Sequence, residues 1–91
     1  MSDTEYIEFK LIMLKRYNHT KKRLKERFKM YLSVDGYYNI INSILNNESV
    51  ILDKNKYVEF HCVYYKNCNI IFVYEPKTQS IRTALSLEYF K

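Results

Sequence analysis

The chain is expected to fold as a two-layer α+β domain: two N-terminal helices packed on an antiparallel sheet of three to four strands. Three observations predict this. Residues 19–47 repeat their apolar side chains at helical spacing. Residues 49–87 instead alternate apolar and polar positions and are cut by short turns. Apolar residues make up 47% of the 91, which is enough for one core, because a domain of this length buries roughly 60–70% of its unfolded surface. Consecutive strands with short turns form a meander, and helices ahead of it cover one face.

Residues 6–14 set Ile7, Phe9, Leu11 and Met13 against Glu8 and Lys10. A period of two predicts a short strand, although Ile12 and Leu14 break it and leave a first helical turn as the alternative. The first helix is predicted over 19–33, with Asn18 as its N-cap, accepting an orphan backbone N–H. Leu24, Phe28, Tyr31 and Leu32 recur there at i, i+4, i+7 and i+8, one apolar stripe. Ser33 to Gly36 supply a break and a new cap. The second helix, 36–47, carries Tyr37, Ile40, Ile41, Ile44 and Leu45. The sheet follows. Val50–Leu52 is a short strand, and Lys54-Asn55 a turn. In 57–65, Val58, Phe60, Cys62 and Tyr64 form one face, read as the apolar one, with Glu59, His61 and Val63 opposite. Lys66-Asn67 makes a tight hairpin turn. Strands at 70–74 and 80–87 close the domain, joined by a turn at Glu75-Pro76-Lys77-Thr78.

Composition excludes several classes. Two cysteines, Cys62 and Cys68, cannot build a disulfide scaffold, and no Cys/His set has zinc spacing. No apolar run reaches the roughly 18–20 residues of a membrane span, and the acidic opening is unlike a signal peptide. The expected compartment is a reducing cytoplasm. A net charge of +5 favours a polyanionic partner. Ten tyrosines and no tryptophan suit stacking on unpaired bases. The abundance of Lys, Asn, Ile and Tyr also matches AT-rich codons, so part of both signals is codon bias.

The informative spacing is His19, Arg23, Arg27. At about 100° per residue these fall at roughly 0°, 40° and 80°, one ridge beside the apolar stripe. Such a ridge lines the edge of a helix–sheet interface. Lys22, Lys25 and Lys29 fall on the far side. Arginine suits a groove that grips oxyanions, because its planar fork matches them, whereas lysine is a solvated point charge. With the helix starting at residue 19, His19 sits at its N-terminus. The helix dipole and Arg23 both then favour neutral imidazole, the form that acts as a base. The same spacing also describes an ordinary solvated face paired with Glu26. His61 reads as a surface or internally satisfied histidine, and Cys62 as core packing.

The run Asn18-His19-Thr20-Lys21-Lys22-Arg23-Leu24-Lys25-Glu26-Arg27-Phe28 resembles the S-x-H-A-x-x-R-x-x-E-R-F helix of small toxin-like ribonucleases of the barnase–EndoU–colicin–RelE (BECR) fold. The likeness spans residues 17–87 and includes the closing strand, Ser80-Ile81-Arg82-Thr83-Ala84-Leu85. Asn18 and Thr20 depart from the small residues usual around the histidine. The resemblance implies a toxin-type endoribonuclease, of phage or mobile-element origin, that uses no metal or cofactor and cleaves single-stranded RNA by 2′-hydroxyl attack. It implies His19 as general base or acid, Arg23 and Arg27 as the phosphate clamp, and Thr83 as a hydrogen-bond donor. Tyr74 would stack on a base or supply a proton. Lys22 and Arg82 would add phosphate contacts, Arg82 only peripherally from the opposite sheet face. A protein antitoxin is an implied partner.

Two rival expectations remain. One is a non-catalytic RNA- or protein-binding module on the same fold. The other is a small inhibitor of a host protein, docking through exposed aromatics such as Tyr57 and Tyr65. Geometry separates them: convergence of His19, Arg23 and Thr83 on an open groove favours catalysis. Cover by the acidic segment Asp3, Glu5 and Glu8 favours binding or autoinhibition.

Overall fold

The computed structural model describes residues 2–90. Helix α1 spans Asp3–Phe28 and helix α2 Val34–Leu45. Strands β1 (Val50–Lys54), β2 (Glu59–Tyr65), β3 (Cys68–Glu75) and β4 (Ser80–Leu85) follow, then a 3-10 turn at Leu87–Phe90. The strands form one antiparallel sheet in the order β1-β2-β3-β4. The α+β architecture with N-terminal helices matches the expectation.

The first helix departs from it. Residues 6–14 are helical, and α1 begins at Ser2, whose hydroxyl accepts the Glu5 N–H at 3.2 Å as N-cap. Asp3 and Glu5 in the first turn add a favourable interaction with the helix dipole. The alternation of Ile7, Phe9, Leu11 and Met13 misled because residues 2–12 are all exposed. None of residues 2–12 belongs to the core, so their pattern carries no burial signal. At the other end α1 stops at Phe28, ahead of the expected residue 33. Lys29 takes a left-handed conformation (φ 57°), and its N–H reaches back to Leu24 and Lys25, a Schellman-like stop. Tyr31 therefore lies outside the helix and is exposed, while Leu32 is buried from the connecting segment.

The turns follow their chemistry. Lys66 and Asn67 both have positive φ (48° and 67°), the geometry of a two-residue hairpin whose twist matches the strands. The exposed edge strand β1 carries a register break between Ile51 and Asp53, a device that discourages further strand pairing.

The sheet faces are the reverse of the expectation for β2. The helices cover the face with His61 and Val63, paired across to Phe72 and Ile70. Phe60 and Cys62 lie on the other face, against Val73 and Ile71. Buried His61, 3% exposed, is satisfied on both nitrogens: Nδ1 by Ser49 Oγ at 2.6 Å and Nε2 by Glu59 Oε1 at 2.8 Å. That pairing lets a polar ring occupy a core position that periodicity assigned to the surface.

Helix α1 meets the sheet chiefly at β4, the edge strand opposite β1, and α2 chiefly at β2. Tyr37 fills the β4 edge from α2. Its hydroxyl donates to Ile81 O and accepts from Ile81 N–H, both at 2.9 Å. From α1, the buried Thr20 hydroxyl donates to the same carbonyl at 3.1 Å, and Arg27 donates to Ala84 O at 2.6 Å. Burial pushes the Tyr37 phenol up to about 12, so it stays protonated and can donate. Around these bonds pack Met13, Leu24, Ile40, Phe72, Ile81 and Ala84. Tyr37→Phe leaves the Ile81 N–H unpaired in a dry core. The expected cost is about 1–3 kcal/mol, read as a lower urea midpoint with an unchanged m-value.

Candidate active site

Three faces run along α1. At about 100° per residue, the core face holds Met13, Tyr17, Thr20 and Leu24. A second face, about 120° around, holds Ile12, Lys15, Arg16 and His19. The third holds Ile7, Leu11, Leu14 and Asn18. Because Thr20 and Arg27 bind the β4 edge, the second face overhangs the sheet and forms an open groove of about 600 Å³. Lys15, Arg16 and His19 line its helix side, and Arg82 and Thr83 its strand side. Val58 and Val73 form the floor.

The groove brings together His19, Thr83 and Arg82. Thr83 arrives by a route the sequence concealed. Ile81, Thr83 and Leu85 are expected to share the helix-covered face. The register instead shifts in β4: Tyr74 pairs with Ile81 but Val73 with Thr83, leaving Arg82 as the extra residue. This bulge turns Thr83 and Leu85 to the face of Val73 and Ile71, opposite Ile81. It also swings Arg82 into the groove, so Arg82 is a wall and not a peripheral residue.

Electrostatics give the groove a net positive sign. Arg16 and Arg82 share one carboxylate oxygen, Glu75 Oε1, at 3.6 and 3.7 Å. The other oxygen of Glu75 accepts from the Thr78 hydroxyl at 2.6 Å. One carboxylate thus lies within ion-pair distance of two guanidinium groups, too far to hydrogen-bond them, and offsets one of their two charges, while Lys15 adds a further positive charge. His19 is an exposed residue in the interior of α1, seventeen positions into the helix, so its neutrality does not come from a helix N-terminus. Partial desolvation pushes its imidazole below the ordinary histidine value, and Arg23, Arg27 and Lys22 push the same way against Glu26.

The remaining predicted residues stand elsewhere. Arg23 pairs with Glu26 at 2.9 Å on the outer surface, and Lys22 lies 3.9 Å from the same carboxylate. Arg27 is tied to Ala84 O. Tyr74 is buried on the helix-covered face, its ring edge-on to His61 at 5.9 Å, and burial with the Glu59 charge raises its phenol. The acidic residues Asp3, Glu5 and Glu8 are exposed and do not line the groove. Lys15 and Arg16 were missed because the helix was started at residue 19. The signal was present: Ile12, Lys15, Arg16 and His19 have i, i+3, i+4, i+7 spacing.

A second groove of about 500 Å³ continues the first and shares Ile12 and Arg16 with it. Lys56, Tyr57 and Lys77 line its far part. Tyr57 is 68% exposed, with Lys56 Nζ 5.7 Å from its ring centre. Comparison of the chain with protein-family models, curated proteins and solved structures found no match. No helix among the described residues is long and apolar enough to cross a membrane.

An NMR titration of His19 is expected to give a midpoint below 6.5. Arg23→Gln removes one opposing charge, so the midpoint rises toward 6.5 without reaching it, because the larger desolvation contribution remains. An unchanged midpoint would remove Arg23 from the electrostatics of the site.

Proposed function

We propose that the protein is a metal-independent endoribonuclease of the toxin type, with the α1–β4 groove as its active site. The observation that carries this reading is the pairing of a neutral-biased imidazole, His19, with Thr83, Arg16 and Arg82 across one open groove. The resemblance of the His19 helix and the Thr83 strand to BECR ribonucleases supports it. The continuous second groove, with an exposed tyrosine between lysines, supports single-stranded RNA as the ligand.

In this mechanism His19 accepts the proton of a ribose 2′-hydroxyl. The O2′–P bond forms as the P–O5′ bond breaks, and the leaving oxygen takes its proton from water. Arg82 and Arg16 hold the non-bridging oxygens as charge builds on the phosphorane, and the Thr83 hydroxyl donates to the same group. The products are a 2′,3′-cyclic phosphate and a 5′-hydroxyl. The next nucleotide lies along the second groove with its base on Tyr57.

A second reading, RNA binding without scission, rests on one observation. Arg23, Arg27 and Tyr74 are engaged elsewhere, so His19 stands in the groove without three of the partners that the resemblance assigns to it.

Incubation of end-labelled RNA with the protein in chelator decides between them. The expected result is cyclic-phosphate ends, with cleavage rising from acid pH and levelling off below neutrality as His19 loses its proton. His19→Ala is expected to reduce cleavage at least about 100-fold with little change in melting temperature. Intact RNA that still binds selects the second reading, and RNA that neither binds nor breaks overturns both. Binding is expected to weaken steeply with salt. Tyr57→Ala is expected to weaken it about 10-fold, within the range for loss of one base stack, while Tyr57→Phe retains affinity.

A further inference from the structure

The third face of α1 has no partner within the chain. Ile7, Leu11 and Leu14 are 58%, 51% and 55% exposed, and with Asn18 they form a stripe about 60° wide. Residues 3–12 project as exposed helical turns. A ten-residue helix has little stability in water on its own account. The stripe also continues onto α2. A groove of about 180 Å³ beside Leu14 is lined by Val34 and Tyr38, which are themselves exposed at 52% and 44%.

We propose that this face binds a second copy of the chain through antiparallel pairing of the two α1 helices. Charge placement supplies the direction. Glu8 and Lys15 flank the stripe on one side, and Asp3 and Lys21 on the other. The acids lie toward the N-terminus and the bases toward the body. Antiparallel pairing around Leu11–Ile12 sets Glu8 of one copy against Lys15 of the other on one flank. On the opposite flank, one residue out of that register, Asp3 comes opposite Lys21. Within two residues of the same register, Leu11 faces Leu14, and Ile7 of one copy reaches Asn18 of the other. Parallel pairing would lose both of these ion pairs and set Lys21 against Lys22, keeping only Glu8 opposite Lys10. The stripe lies about 120° from His19, and the two surfaces share Lys15, which lines the groove on one side and flanks the stripe on the other. The proposal stands apart from the ribonuclease reading, since its readout is a mass.

Sedimentation velocity on the intact chain tests it. The expected mass is twice 11.2 kDa at micromolar concentration. Leu11→Glu is expected to weaken association about 30-fold or more, as loss of a central interface anchor does. Its far-ultraviolet circular dichroism should retain the body of the fold, because Leu11 is exposed and is not a member of the core cluster. Glu8→Lys is expected to weaken the dimer, and Glu8→Lys with Lys15→Glu to restore it. A wild-type monomer at 100 μM overturns the proposal, whatever other protein the stripe captures. A dimer indifferent to Leu11→Glu, or a double charge exchange that fails to rescue, overturns it too.

Discussion

The open edge of β4 is the constraint on which the rest of the molecule depends. An edge strand leaves backbone donors and acceptors unpaired, and burying them without partners is expensive. Here three side chains replace a neighbouring strand. Tyr37 gives one hydroxyl to both polar groups of Ile81, Thr20 shares the same carbonyl, and Arg27 takes Ala84 O. Among the described residues no buried side-chain polar atom is left without a partner. The arrangement holds α1 against the strand at a fixed rotation and height. Arg27 is thus a structural tie, and the groove one face away exists because that tie is made.

The groove inherits its chemistry from this placement. Its cations come from two elements far apart in sequence, and Glu75 joins them by bridging Arg16 to Arg82. A carboxylate in that position lowers the net charge of the groove and holds the two guanidinium groups near one another. The depressed imidazole at its centre follows from ring desolvation and from the cations on its own helix. The second groove, lined by Lys56, Tyr57, Lys77 and Glu75, extends the same surface, and the proposed single-stranded RNA ligand rests on that continuity.

Helix α1 therefore carries three kinds of surface at equal angular intervals: one against the core, one over the groove and one open to solvent. A helix with three differently occupied faces has a blurred periodicity. This explains why residues 6–14 imitate a strand. Helical spacing can be read in a sequence when one face is buried and the others are polar. Ile7, Leu11 and Leu14 are apolar without being buried in this chain, and they overwrite that contrast.

The sequence by itself determined the α+β class, two helices ahead of a meander of three to four strands, the Lys66-Asn67 hairpin and the motif that contains His19. These depend on local preferences and on spacing within one element, which a linear chain displays. Tertiary structure decided which residues share a site. One inserted residue, Arg82, reversed the faces of Thr83 and Leu85, and the start of α1 at Asp3 added Arg16 and Lys15 to the groove. Burial of His61 and Tyr74, and the diversion of Arg27 to a carbonyl 57 residues away, arose from partners on other elements, whereas the Arg23–Glu26 pair is local. A bulge, a cap and a cross-chain hydrogen bond change direction in space without leaving a period in the sequence, so only the folded chain reveals them.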